Sequence, residues 1–471
     1  MNRTLDELCH DAPGLRVRRR VGAGNPVVTA ITHDSRRVAA GTLFCCVPGE
    51  HVDGHSFADR AVSAGAVALM VDHELPLPVD QVVVDDVRAA MGPMASAVHG
   101  HPSHQLVVVG VTGTNGKTTT TNLIATILEH HGWPCGRIGT LTGARTTPEA
   151  PELQARLAGF VAAGDRAVAM EVSSHALALH RVDGTRVRVA VFTNLTQDHL
   201  DLHGTMERYF AAKARLFEPS LSDEGVVCVD DTYGELLADG ASVPITRFSV
   251  ADAGDVVLSA TQVEFDWRGR RVHLPMGGRF NVANALAAAT VAERLGVPAD
   301  TIVGALATVA PVPGRFEPVD AGQDFAVVVD YAHTPDGLAQ VLAAAREGAG
   351  AGRVLVVFGC GGDRDAAKRP EMGRIAAEQA DVVVVTSDNP RHEDPAAIIS
   401  AVLSGIPAGP RARVTSDPDR RAAIALALAD SRPGDVVVIA GKGHEPYQEI
   451  GDVQLPFDDR AVVRELLGGQ P

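Results

Sequence analysis

Apolar residues in this chain fall mostly into short unbroken runs rather than strict alternation. Gln105-Leu-Val-Val-Val-Gly110 is one such run, and others cover 167–172, 189–192, 325–330, 353–358, 381–386 and 435–440. Runs of β-branched residues bounded by glycine or polar turns predict strands buried on both faces. Helical spacing fills stretches between them, at 117–130, 204–217, 280–295, 336–348, 370–380 and 395–404. Strand and helix in alternation predict an α/β fold with parallel sheets covered by helices. Asp255 to Leu274 alternates around Arg268-Gly-Arg270 and predicts a hairpin.

Breakers divide this pattern. His99-Gly-His-Pro-Ser-His104 precedes the first long run. Three histidines so close raise the question of a metal, but Gly100 and Pro102 interrupt them and no Cys or acid stands at ligand spacing, so the stretch reads as a linker. Pro311-Val-Pro-Gly314 is a second break. A chain of 471 residues, at about 100–200 per domain, divides into three: 1–104, 105–312 and 313–471.

Composition excludes more than it selects. With 58 Asp+Glu against 42 Lys+Arg, the formal net charge is −16, which disfavours a broad grip on nucleic acid. Aromatics make up 4%, too few for a base-stacking platform. No apolar run approaches the ~20 residues of a membrane span. Met1 to Gly14 lacks the apolar core of a signal peptide, so a cytoplasmic protein is expected. Six cysteines, at 9, 45, 46, 135, 228 and 360, form no CxxC pair and read as reduced, mostly buried thiols.

The chemistry lies in motifs. Gly110-Val-Thr-Gly113-Thr-Asn115-Gly116-Lys117-Thr118-Thr119 joins a predicted strand to a predicted helix. Glycines admit backbone N–H groups to phosphates, the helix start favours anions, Lys117 reaches terminal phosphates, and Thr118 can hold Mg²⁺. The strict P-loop pattern would place glycine where Val111 stands, so the match is to its second half. Glu171 ends a buried run, where an acid can meet a phosphate-bound cation. Thr193 to His203 gathers Asp198, His199, Asp201 and His203 in a polar turn, which reads equally as a solvated loop with Asp198 as a helix cap. From spacing alone Lys213 is an exposed helical lysine and Asn281 a helix cap. Asp330, at the end of a strand, is either a ligand contact or a cap, and Asp388-Asn389-Pro390 is a plain turn.

Gly113-Thr-Asn-Gly-Lys-Thr-Thr119 resembles the P-loop of the Mur ligases, the ATP-dependent amide-forming enzymes of peptidoglycan assembly. Motifs from residue 31 to beyond 445 follow that family's order. The resemblance implies an N-terminal UDP-binding α/β domain, a central P-loop ATPase-like parallel-sheet domain and a C-terminal Rossmann-like domain. It implies ATP bound by Gly113, Thr114, Asn115, Gly116, Lys117, Thr118, Thr119, Asn281, Arg315 and Asp330. It implies Mg²⁺ held by Thr118, Glu171, His199 and Lys213, the lysine being N-carboxylated. That modification requires a neutral amine, hence a lysine of lowered pKa. It also implies a cytoplasmic monomer serving cell-wall growth, cell shape and division.

Within the family, Asp34-Ser35-Arg36 and Gly49-x3-Asp53-Gly54-His55 resemble the members acting third and fourth on the growing peptide. Thr146-Thr147-Pro148 and Ser173-Ser-His175…Arg181 resemble the third. Ser35, Thr146, Thr147, Ser173 and Arg181 would then hold UDP-MurNAc-L-Ala-D-Glu. Leu179 stands where the family usually has Gln and loses one polar contact. Asp388-Asn389-Pro390-Arg391 is the form of the members that add meso-diaminopimelate, whose second carboxylate a guanidinium can hold with two charge-assisted bonds. Arg364, Gly441 and Glu445 would complete that acceptor site, and His333 is the candidate base. Alternatives are L-lysine or a secondary-metabolite acceptor, folylpolyglutamate synthetase chemistry, or a P-loop ATPase of another class.

Overall fold

The computed structural model describes residues 3–49 and 52–468, so Glu50 and His51 of the Gly49…His55 motif lie outside the described residues. The chain folds as two units, one of Met1–Gly113, Leu128–Leu195 and His199–Arg247, the other of Thr114–Ile127, Thr196–Asp198 and Phe248–Pro471.

Among the described residues, the two larger sheets of the first unit carry its core. Strands β1 (Val17–Val21), β2 (Ala30–Thr32), β3 (Thr42–Cys45), β4 (Ala66–Val71) and β5 (Asp80–Val84) lie in the order β1-β5-β4-β3-β2, parallel except for β1. Helix α1 (Val87–Val98) packs its Met91, Met94 and Ala95 into this sheet's core. The predicted run at 105–110 forms β6 (Val107–Thr112), from which the chain passes into α2 (Lys117–His130). With β7 (Cys135–Ile138), β8 (Ala167–Glu171), β9 (Val187–Phe192), β10 (Ser222–Cys228) and β11 (Ile245–Phe248) it makes a six-stranded sheet in the order β11-β10-β9-β6-β8-β7. β9, β6, β8 and β7 are parallel neighbours, as the apolar runs predict. Short helices α3 (Ser174–Ala178), α4 (Leu200–His203) and α5 (Met206–Ala214) follow strands β8 and β9.

In the second unit the predicted hairpin is three strands, β12 (Gly254–Leu258), β13 (Val263–Trp267) and β14 (Arg270–Leu274), antiparallel throughout. Helix α6 (Arg279–Arg294) follows. The larger sheet has β15 (Glu317–Pro318), β16 (Ala326–Asp330), β17 (Val354–Phe358), β18 (Val382–Val385), β19 (Arg413–Ser416) and β20 (Val436–Ala440), ordered β15-β16-β20-β17-β18-β19. All pairs are parallel except the β15 edge. Alternate residues of each strand enter opposite cores. Val328, Val356 and Val438 meet Leu338 and Leu342 of α7 (Pro335–Ala349) and Met372 of α8 (Lys368–Gln379). Val329, Val357 and Ile439 meet Ile424 of α9 (Arg420–Asp430) and Val463 of α10 (Asp459–Leu466). The last strands, β21 (Tyr447–Ile450) and β22 (Val453–Pro456), form a hairpin. No helix among the described residues is long and apolar enough to cross a membrane. Five cysteines are buried, and Cys9 is half-buried.

The histidines before β6 are packed locally. His101 takes a left-handed backbone (φ 52°) and its ring meets Ser96 Oγ at 3.2 Å and Asp11 Oδ2 at 2.7 Å.

Candidate active site

The phosphate cradle occupies the turn between β6 and α2. Gly113 has φ 150°, a backbone that L side chains rarely adopt, and a Cβ there would collide with Thr193 Oγ1. Thr114 Oγ1 donates to the Thr196 carbonyl (3.2 Å) and accepts from the Thr196 N–H (3.0 Å). Lys117 Nζ donates to the Thr114 carbonyl at 2.7 Å, which curls the ammonium over the loop. The Asn115 amide donates to Asp336 Oδ2 (3.1 Å), which also accepts from Thr196 Oγ1 (2.8 Å) and Gln340 Nε2 (2.9 Å). Asp336 stands in the first turn of α7 and is absent from the sequence-derived set, because nothing near it in the chain links it to the P-loop.

Arg315 extends Nη2 to 3.4 Å from Thr118 Oγ1, and its guanidinium lies 4.6 Å from the Tyr331 ring centroid. Its Nε is buried without a hydrogen-bond partner. Lys117 and Arg315 thus bring two cations to a helix start whose N–H groups favour anions. That donor set fits the phosphates of a nucleotide.

Two residues expected at the nucleotide are engaged inside the protein. Asn281 is not a helix cap. Gly278 holds that position, and Asn281 lies inside α6 with its amide donating to the Gly277 carbonyl (2.7 Å). Its Oδ1 accepts from Asn284, whose own Oδ1 accepts from Thr120. Asp330 ends β16 as expected, but it caps no helix. Its two oxygens accept from the N–H groups of Phe316 (2.6 Å) and Ala332 (2.7 Å), while Thr334 caps α7. Burial raises the Asp330 pKa against the opposing pull of Arg315 and those N–H groups.

His333 is accessible. Its Nδ1 lies 2.8 Å from the Tyr331 carbonyl, and only an N–H can make that bond, so in the neutral ring Nε2 carries the lone pair. Desolvation and then the Lys368 ammonium hold this imidazole below its ordinary pKa.

In the first unit, Glu171 ends β8 almost fully buried and accepts from Thr140 N–H (2.8 Å) and Oγ1 (3.3 Å). Thr140 Oγ1 lies 3.0 Å from Thr146 Oγ1. Thr147 Oγ1 donates to the Glu171 carbonyl (2.9 Å) and accepts from the Ser173 N–H (3.1 Å). Ser173 caps α3 by accepting from Ala176 N–H. Arg181 reaches the Thr147 carbonyl (3.3 Å) and pairs with Glu149 Oε1 (2.9 Å), a residue the sequence reading missed. Thr146, Thr147, Ser173 and Arg181 therefore form one polar cluster on Glu171. Leu179 ends α3, half-buried. Ser35 opens a 3₁₀ turn capped by Asp34.

His199, not Asp198, occupies the position before α4, with a left-handed backbone (φ 53°). Its ring stands edge-on to His175 at 4.8 Å. Lys213 corrects the expectation of an exposed lysine. It is 1% exposed, because α5 turns it inward. Its Nζ donates to the Gly113 carbonyl at 2.7 Å and lies 4.5 Å from the Tyr209 ring centroid.

The acceptor motif is more than a turn. Asn389 Oδ1 accepts from Lys442 Nζ (3.1 Å) and Glu449 N–H (2.9 Å), and its Nδ2 donates to Glu445 Oε2 (2.9 Å). Lys442 is fully buried and also lies 3.4 Å from Glu445 Oε2. Gly441 has φ 115°, and a Cβ there would meet Asp388 Oδ2 at 2.5 Å. Arg391 pairs through Nε with Glu449 Oε2 (2.8 Å) and donates through Nη1 to the Gly362 carbonyl (2.8 Å). Arg364 is exposed, and a Cβ added at Gly361 would meet both its Cγ (3.7 Å) and Arg391 Nη1 (3.1 Å). Glu449 lies far along the chain on β21 and Lys442 hides inside a glycine turn, so neither stood out in the sequence.

The chain is similar to known proteins along most of its length. Family models match at residues 27–100 (Mur ligase family, catalytic domain), 111–292 (Mur ligase middle domain) and 314–443 (Mur ligase, glutamate ligase domain). A UDP-N-acetylmuramoyl-L-alanyl-D-glutamate--2,6-diaminopimelate ligase of Geobacillus kaustophilus is 46% identical, covering 94% of this chain and 95% of that protein. The enzyme of the same name from Streptomyces coelicolor is 44% identical over 94% of this chain and 93% of its own. A solved structure of a protein of that name superposes with a TM-score of 0.71 at 33% identity, covering 99% of each chain. A folylpolyglutamate synthase of Mycobacterium tuberculosis complexed with ADP and AMPPCP shares the fold at 20% identity, with a TM-score of 0.59 over 80% of this chain and 94% of its own. With matches of this extent along its length, the chain belongs to the Mur ligase family.

Proposed function

We propose that this protein joins meso-diaminopimelate to UDP-MurNAc-L-Ala-D-Glu at the cost of ATP, in the cytoplasm, as a step of peptidoglycan precursor synthesis. The observation that carries the reading is the Asp388–Arg391 turn braced by Lys442, Glu445 and Glu449, a charged pocket of the kind a zwitterionic diamino acid needs. The relatives named for this reaction support it.

The γ-phosphoryl group of ATP passes to the D-glutamyl γ-carboxylate, and the acyl phosphate so formed is attacked by the acceptor amine. Phosphate leaves as the amide forms. Lys117 and Arg315 balance charge on the transferring group, and Gly113 to Thr119 orient the nucleotide. Asn281 and Asp330 shape the nucleotide site through the backbone they hold. His333 Nε2 takes the proton of the attacking amine. Mg²⁺, with Thr118, Glu171, His199 and N-carboxylated Lys213 as its proposed ligands, supplies charge neutralisation when bound. Ser35, Thr146, Thr147, Ser173 and Arg181 bind the nucleotide-sugar dipeptide. Arg391 holds the acceptor's second carboxylate and Arg364 the other, Gly441 and Glu445 read the distal ammonium end, and Asp388, Asn389 and Pro390 complete the acceptor site. The domains are 1–104, 105–312 and 313–471, and the protein works as a monomer.

Phosphate release from ATP is measured with UDP-MurNAc-L-Ala-D-Glu and either meso-diaminopimelate or L-lysine. Release with diaminopimelate alone is the expected result. Release with lysine overturns the acceptor assignment, and silence in both overturns the reaction.

A further inference from the structure

Where the motif Asp53-Gly54-His55 meets the N-terminal sheet of the first unit, two imidazoles are aimed at one carboxylate. His55 lies in the 3₁₀ turn Gly54–Phe57, while Asp72 and His73 follow directly on β4. His55 Nε2 is 3.2 Å from Asp72 Oδ1, and His73 Nδ1 is 2.5 Å from the same oxygen. The two rings stack with centroids 4.6 Å apart. One ligand atom from each of the three residues lies within 4.8 Å of the others.

The tautomer gives this cluster its chemistry. His55 Nδ1 lies 2.7 Å from Asp53 Oδ1, so in the neutral ring its one N–H is spent on that carboxylate. The lone pair of Nε2 then faces the negative oxygen of Asp72. The Asp72 backbone N–H, 3.5 Å away, lies at that same nitrogen. Two acceptors at 3.2 Å are held together either by a proton on Nε2 or by a cation between them. A carboxylate that orients a histidine through its far nitrogen is the usual support of a metal-bound imidazole. With metal–ligand distances of about 2.0–2.2 Å, tetrahedral donors sit roughly 3.3–3.6 Å apart, close to the 3.2 Å between His55 Nε2 and Asp72 Oδ1, while the His73 ring would move out from its closer contact with that oxygen. The His55 side chain is 6% exposed, Asp72 33% and His73 61%, so a fourth position opens to water.

We propose that His55, Asp72 and His73 form a binding site for a divalent transition-metal cation of the zinc class, oriented by Asp53 and using none of the residues proposed for the reaction. Two imidazoles and one carboxylate select zinc, nickel or cobalt over Mg²⁺, which requires oxygen ligands. Bound there, the ion pins the 3₁₀ turn to the end of β4 and stabilises the folded state by mass action.

The full-length protein, stripped of metal with a chelator, is dialysed against Zn²⁺ in a large excess of Mg²⁺, and bound zinc is measured by elemental analysis. His73→Gln and Asp72→Asn are treated alike, with thermal unfolding of each metal-free protein as the folding control. The wild type is expected to hold one more zinc per chain than either variant. Zinc should raise its unfolding temperature by several degrees more than theirs, and Co²⁺ should give it visible absorption bands that both lack. Equal zinc content in wild type and folded variants overturns the site. So does loss of the zinc to Mg²⁺ competition.

Discussion

The ammonium of Lys213 lies 2.7 Å from the carbonyl oxygen of Gly113, so a lysine buried on α5 is tied to the first glycine of the phosphate cradle. A buried amine stays neutral more readily, and neutrality is what N-carboxylation requires. Lys213→Ala is expected to lower turnover by roughly 10²–10³, the scale of a lost electrostatic group in an active site. The native protein should carry the extra mass of one CO₂ in gently ionised intact spectra, and it should lose activity when bicarbonate is removed. Unchanged mass together with full activity in bicarbonate-free buffer would count against the modification.

Arg391 has two of its three nitrogens engaged, by Glu449 and by the Gly362 carbonyl, so its guanidinium is held in place before any acceptor arrives. A hydrogen bond to a charged group contributes about 1.5–3 kcal/mol. Arg391→Ala should therefore raise KM for meso-diaminopimelate by roughly 10- to 150-fold, with KM for ATP unchanged. Arg391→Lys should recover only part of the loss, because an ammonium cannot form the paired contact. Steady-state kinetics with each substrate varied in turn decides this, and an equal rise in both KM values would refute it.

Arg420 and Asp459 form an ion pair with neither side chain exposed, at 2.7 Å. Arg420 also donates to the carbonyls of Ala440 (3.1 Å) and Ser387 (3.4 Å), next to Gly441 and Asp388. Removing one partner of a buried pair leaves an uncompensated charge and costs about 3–5 kcal/mol. Asp459→Asn should lower the urea midpoint accordingly, whereas Arg420→Met with Asp459→Leu should be markedly less destabilised. Fully stable Asp459→Asn protein would show the pair to be dispensable.

His444 is pushed down to about 4, first by burial and then by Arg315 and Arg460. The folded state therefore binds fewer protons than the unfolded chain, whose histidines titrate near the ordinary 6.5. Its contribution to stability is complete above the unfolded value and is lost as pH falls from there toward about 4. Urea midpoints should fall across that window, and His444→Gln should flatten the slope. A slope unaltered in that variant would assign the effect elsewhere.

His333, lowered in the same direction, should set the acid limb of kcat/KM below the ordinary histidine range. Lys368→Met removes the ammonium beside it and should move that limb to higher pH. An unmoved limb would exclude His333 as the base.

The sequence by itself determined the sheets and the loops that carry chemistry. Unbroken valine runs have nowhere to go but the middle of a parallel sheet, so β6, β8, β16, β17 and β20 lie where the pattern puts them. Gly113 to Thr118 was legible because a phosphate cradle is local: its spacing is its geometry. Tertiary structure decided what depends on residues distant in the chain. Lys213 looks exposed on its own helix, and only packing against the turn after β6 buries it. Asn281 and Asp330 look like caps, and only the fold links the first through Asn284 to Thr120 and brings the second to the N–H of Phe316. Asp336, Lys442 and Glu449 were invisible in the sequence because their partners lie tens or hundreds of residues away. Local periodicity reports which face of an element is buried, but it holds no information about which distant polar group that face will meet.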